Sequence, residues 1–241
     1  MANKKNKVLS TLVTIIIGIV IAWMKFKETK SDKQREGSVR DEDVEMILPG
    51  EQGGVASSML TPVSLSSSKF EILRSCSLID HRGNDGDSFH VNTPKGEEEV
   101  RLYYVDAPES AARSYRDGNT NHKRIAQQGE AMGGLNQHET TQVGVEAKQF
   151  VKNLLKGKKF DIATTREKVY GSHRIYAYII VKSDGEERYL HELLVANGLG
   201  RIHTKPMTLP DNTSSSRHKE NLRKLENHAK SKNYGAWGLR K

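Results

Sequence analysis

Arg101-Leu102-Tyr103-Tyr104-Val105-Asp106-Ala107-Pro108-Glu109 begins as a strand and ends as a corner. The run Glu99 to Val105 is rich in β-branched and aromatic residues, while Pro108 ends a ladder and stiffens the chain direction. Asp106 and Glu109 therefore project from a rigid strand end. Hard oxygen ligands at such a corner suit calcium. Parity raises an objection, because on a regular strand Arg101 and Asp106 face opposite sides. Both reach one site only if the strand is distorted, and the distortion is expected near Val105.

Nineteen residues before Asp106 stands Asp87, in Asp85-Gly86-Asp87-Ser88 between two strand-like runs. Alone, Asp-Gly there is most simply a hairpin turn. Further strand-like runs cover Phe70 to Ile79, Ser88 to Asn92, Phe160 to Ala163 and Ile175 to Val181, with Gly, Asn and Asp turn signals between them. Five strands suggest a small barrel. Three helices are expected. The first carries Ala147, Phe150, Val151, Leu154 and Leu155 on one face and stops at Gly157, and the second carries Leu190, Leu193 and Leu194 and stops at Gly198. The third follows Ser214-Ser215-Ser216, with Leu222, Leu225 and Ala229 inward. Strands early and helices late make an α+β domain.

The chain before residue 69 is different. Val8 to Met24 is seventeen residues without a charge, about 25 Å as a helix, flanked by Lys4, Lys5 and Lys7 and by Trp23, Lys25 and Lys27. It reads as a single transmembrane anchor. A cleaved signal peptide fits less well, because Ile21-Ala22-Trp23-Met24-Lys25 offers no small-residue cleavage site. Residues 28–68 are polar and acidic in the middle, a flexible linker. The expected division is thus an anchor over 1–27, a linker over 28–68 and a catalytic domain over 69–241, with the bilayer met through residues 8–24.

The formal charge is +8, and residues from 69 onward carry 29 basic against 22 acidic side chains. That excess suits a polyanion such as nucleic acid, a soluble basic surface being the plainer reading. The single Cys76 excludes an intramolecular disulfide and reads as core filling. His191-Glu192-Leu193-Leu194-Val195 is close to a zinc-protease helix, but Val195 stands where the second histidine is required. His191 is expected to cap the second helix or lie on its surface.

Four further pieces complete a pattern with the nine-residue block and the Asp85–Ser88 turn. They are Tyr170-Gly171 followed by an arginine, Ala177-Tyr178, Leu194-Val195-Ala196-Asn197-Gly198-Leu199, and a basic helix ending near Trp237. In order and interval, residues 69–241 resemble the staphylococcal nuclease (thermonuclease) family. The resemblance implies a five-stranded OB-type β-barrel with three helices, whose face suits single-stranded or locally opened nucleic acid. It implies calcium held by Asp87, Asp106 and the carbonyl of Ala107, with Glu109 activating water and Arg101 and a second arginine on the phosphate. It also implies 5′-hydroxyl and 3′-phosphate products and an extracytoplasmic enzyme on DNA or RNA, whereas three Lys before the apolar run against five Lys/Arg soon after it favour the cytoplasmic side; a monomer is expected.

Two departures stand out. The family usually has an arginine directly after Tyr-Gly, whereas here Ser172-His173 intervene, so Arg174 is the expected equivalent and His173 the alternative. Residues 110–142 form an insertion rich in Gly, Asn, Gln and His. It reads either as a substrate flap using Arg113, Arg116, Lys123 and Arg124, or as a disordered excursion. Rival functions are an inactive OB-type nucleic-acid-binding module and a membrane-bound scaffold. A pure binder has no need of three acids beside two arginines.

Overall fold

The computed structural model describes residues 58–115 and 117–239. Alternating patterns give β1 (Glu71–Leu78), β2 (Ser88–Thr93) and β3 (Gly96–Leu102), in which Phe89 and Val91 are buried while Asn92 is exposed. Antiparallel pairing runs β3 to β2, β2 to β1, β1 to β5 (Phe160–Thr164) and β5 to β6 (Ile175–Ser183). A parallel pairing of β3 with β6, Arg101 opposite Tyr176, closes the circle. The result is a five-stranded mixed barrel, as the pattern and the resemblance both anticipate. β7 (Glu186–Tyr189) extends β6 as a hairpin, and two short strands, β4 (Val105–Asp106) and β8 (Arg201–Ile202), pair outside the barrel.

Four α-helices accompany these strands among the described residues, one more than expected. α1 (His122–Ala131) lies in the insertion and packs on α2 (Gln137–Leu155). Over the described residues the insertion is thus no disordered excursion, since it contains one helix and begins the next; Arg116 of the flap reading lies outside the described residues. α2 starts with a capping box, the Asn136 side chain accepting the Glu139 N–H (3.0 Å) while Glu139 accepts the Asn136 N–H (2.8 Å). α3 (Leu190–Ala196) is buried along its length against β6 and α4 (Ser215–Lys232), which covers it with Leu222, Leu225 and Ala229.

His191 is corrected by this packing. It is fully buried, and its Nε2 lies 2.6 Å from His218 Nε2, among Tyr104, Tyr178 and Tyr189. Two nitrogens on one tetrahedral zinc sit about 3.3 Å apart, so this spacing suits a proton shared between neutral rings. Glu192 beside them accepts the Thr61 N–H (2.8 Å) and hydroxyl (2.5 Å). With Leu60 buried and the Ser67 N–H donated to Pro210 O (2.7 Å), the packed chain starts before residue 69.

The expectation of a single-pass membrane protein is also corrected. Among the described residues no helix is long and apolar enough to cross a membrane. The longest, α2, carries Glu139, Glu146, Lys148 and Lys152 and buries one face only. The run 8–24, on which the anchor, the bilayer contact and the extracytoplasmic placement rested, lies outside the described residues.

Candidate functional site

β2 and β3 pair with Ser88 opposite Arg101, which sets Asp87 at the edge of Arg101. The strand then breaks. Tyr104 adopts φ +66°, and the Val105 N–H turns back to Tyr103 O (2.8 Å). A left-handed tyrosine is strained, and here buried packing on both sides imposes it. β4 resumes on a new partner, Asp106 opposite Arg201. The parity objection is thereby met one residue before the expected place. Arg101 forks between two carboxylates, Nη1 to Asp87 Oδ1 at 2.8 Å and Nη2 to Asp106 Oδ1 at 2.7 Å. All three side chains are buried, at 3% exposure for Asp87, 8% for Arg101 and 2% for Asp106.

The corner beyond is held from below. The Ala107 N–H donates to Asp87 Oδ2 (2.7 Å), so the turn and the strand end share one carboxylate. α2 approaches the corner through Gly144, where a Cβ would lie 2.4 Å from Glu109 O and 2.6 Å from Pro108 O. Gly86 is equally confined, a Cβ there falling 2.8 Å from both Ala107 Cβ and Ala147 Cβ. These two glycines let the Asp87 turn, the Pro108 corner and α2 meet.

Arg174, rather than His173, is directed at this place. Its Nη1 donates to Ser88 Oγ at 3.1 Å, and Arg101 Nη1 reaches the same oxygen at 3.3 Å. Ser172 Oγ braces the Arg174 Nε at 2.9 Å, so the two inserted residues of the turn shape it rather than displace it. His173 is exposed. Asp87, Arg101, Asp106, Ala107, Glu109 and Arg174 therefore stand together.

The family model described as staphylococcal nuclease homologue matches residues 99–238, more than half of the chain. The chain belongs to the staphylococcal nuclease family. This is a nuclease-type family, and the match includes Arg101, Asp106, Glu109 and Arg174, while Asp87 lies just before it. No curated protein matches the chain.

In this nuclease-family domain, sequence reasoning missed two contributors. Gln128 Nε2 donates to Asp106 Oδ2 and to Ala107 O, both at 3.0 Å, and its Oε1 accepts the Glu109 N–H (3.0 Å). Arg201 Nε donates to Asp106 Oδ2 at 2.8 Å. Gln128 sits in the insertion and Arg201 follows the glycine stop of α3, and neither carries a local signal. Arg124, which the flap reading aimed at phosphate, instead bridges Asp106 (2.8 Å) and Glu109 (2.9 Å).

The charges explain how buried acids are tolerated. Burial pushes the Asp87 carboxyl above its usual range, Asp106 alongside adds to this, and the Arg101 guanidinium opposes it. For Asp106 burial acts upward too, but Arg124, Arg101, Gln128 and Arg201 outweigh it and hold the carboxyl low. Asp85, half-buried on the same turn, is pushed up to about 7 by burial and by Asp87. Asp87, Asp106 and Glu109 crowd at the corner, and the guanidiniums of Arg101, Arg124 and Arg201 meet their charge there.

Proposed function

We propose that the chain is a calcium-dependent nuclease hydrolysing phosphodiester bonds of DNA or RNA. The observation that carries this reading is the Arg101 fork between two buried carboxylates, with Glu109 on the same stiff corner and Arg174 converging on Ser88. The donor set fits calcium: Asp87 and Asp106 carboxylates and the Ala107 carbonyl are all hard oxygens, and two of the carboxylate oxygens lie within the span of one guanidinium. Calcium held there would supply the positive charge that an anionic phosphodiester needs in order to accept attack.

The chain's own groups do the rest. Arg101 and Arg174 hold the non-bridging phosphate oxygens and offset the charge that builds on them in the transition state. The water oxygen bonds to phosphorus as the P–O bond to the leaving sugar oxygen breaks; Glu109 takes the water's proton at a carboxylate oxygen, and the leaving oxygen takes a proton from solvent. Gln128 keeps the Glu109 backbone and the Asp106 carboxylate in register, which fixes the distance between base and phosphate.

The test is cleavage of single-stranded DNA and RNA with calcium, with magnesium and with chelator, alongside Asp87→Ala and Glu109→Gln. Calcium-dependent cleavage lost in both variants supports the enzyme. Tight binding without cleavage would make the domain a nucleic-acid-binding module and sink the proposal.

A further inference from the structure

The insertion gives the site a second wall. Asn121 ties the loop after the corner together: its Oδ1 accepts the Arg113 N–H (2.7 Å), and its amide donates to Ala111 O (2.9 Å) and Glu109 Oε2 (3.3 Å). α1 then presents residues 124 and 128, one turn apart and so on one face, to the corner. Gln128 is completely buried and commits both ends of its amide to Asp106, Ala107 and Glu109. Arg124 differs. Its guanidinium bridges Asp106 Oδ1 and Glu109 Oε1, yet the side chain is 44% exposed, against 10% for Arg101 and 11% for Arg201.

Charge counting makes this difference matter. Asp106 accepts four donors, two on each oxygen, and three of them are guanidiniums. Asp87, Asp106 and Glu109 thus meet Arg101, Arg124 and Arg201 in direct contact, a balanced set of charges. A dication entering that set leaves it strongly positive unless a guanidinium withdraws. Arg101 and Arg201 are enclosed, whereas Arg124 has an open side.

We propose that Arg124 is an exchangeable counter-ion of the site: it holds Asp106 and Glu109 until a divalent cation takes its place, and then turns its guanidinium to the substrate phosphate. The proposal rests on the calcium-nuclease reading. It makes the insertion a working part of the reaction, and it gives Arg124 two opposite effects that a purely structural arginine lacks. Removing it favours the cation and disfavours the nucleic acid.

The experiment is calcium titration by calorimetry of the full chain and of Arg124→Gln, paired with kcat and KM on single-stranded DNA. In Arg124→Gln calcium binds about two- to fivefold more tightly, the scale of one partly exposed ion-pair contact, while KM for DNA rises several-fold. Arg124→Lys keeps the charge without the two-pronged geometry and falls between. Gln128→Met serves as the structural comparison. It strips the corner of its clamp and weakens calcium binding, the reverse of Arg124→Gln. Calcium binding that is unchanged or weaker in Arg124→Gln, or a KM that does not rise, overturns the proposal. A wild-type chain that neither binds calcium nor cuts DNA overturns the nuclease reading itself, and this inference with it.

Discussion

Ser88 Oγ is the point on which two guanidiniums converge, and that convergence is the ground for proposing Arg174 rather than His173 as the phosphate contact. Replacing Arg174 with alanine is expected to lower kcat/KM on single-stranded DNA about a hundredfold, the usual cost of one electrostatic donor to a transition state. His173→Ala, on the exposed side of the turn, leaves kcat/KM within about twofold, as surface changes away from a site do. The reverse ranking would move the phosphate contact to the histidine. Asp106 and Glu109 drew attention through a local feature, the strand that ends in a proline corner, whereas Asp87 and Arg101 were singled out by the family resemblance. Arg201 was not, since it reaches Asp106 from 95 residues away along the chain. Only the β4–β8 pairing brings it there.

Among elements, α2 and the broken strand do most to aim the site. Gly144→Ala would help an isolated helix by about 1 kcal/mol through propensity. Here the added Cβ meets Glu109 O and Pro108 O, so the sign reverses, with a loss on the order of 1–3 kcal/mol as in overpacked cores. Thermal melting checks the stability, and cleavage assayed well below the melting temperature checks displacement of Glu109. An unchanged melting temperature with full activity would show that the corner yields freely. The five barrel strands and three of the helices were readable from apolar periodicity. α1 was not, for a physical reason: its buried residues are Ile125, Gln128 and Gly129, so a single apolar side chain marks the face it turns inward. Apolar periodicity cannot register a helix with one apolar anchor. Nor does a side chain cap its start.

For the molecule as a whole, the buried pair between α3 and α4 sets a response to acid. Burial lowers the His218 pKa to about 4 and that of His191 well below its usual value, His218 adding to the latter effect. The unfolded chain takes up protons at both rings near pH 6.5 while the folded chain does not, so stability falls as pH drops from about 6.5 toward 4. Glu192 acts in the opposite sense. Burial raises it to about 7, so the folded chain keeps a proton that the unfolded chain has lost, and stability falls as pH rises from about 4.5 to 7. His218→Gln keeps a donor for His191 but does not titrate. Its melting temperature should therefore drop less than the wild type's between pH 6.5 and 4, the corresponding difference in stability approaching on the order of 3 kcal/mol at the acid end. Parallel curves would mean that His218 is not held neutral. The sequence pointed at His191 but put it on the surface, because a lone histidine in a helix says nothing about the second histidine 27 residues later.

Cys76 is the chain's single cysteine, sealed in the barrel wall with its Sγ–H turned to Leu73 O and its thiol pushed up to about 11, chiefly by burial and further by Asp161. Such a thiol is inert to alkylating dyes at neutral pH. The native protein is consequently a blank background for site-specific fluorescence labelling. A reporter attached through Lys123→Cys, on the solvent side of α1, would be the lone attached dye, next in sequence to Arg124, and its emission would follow the inserted helix in real time.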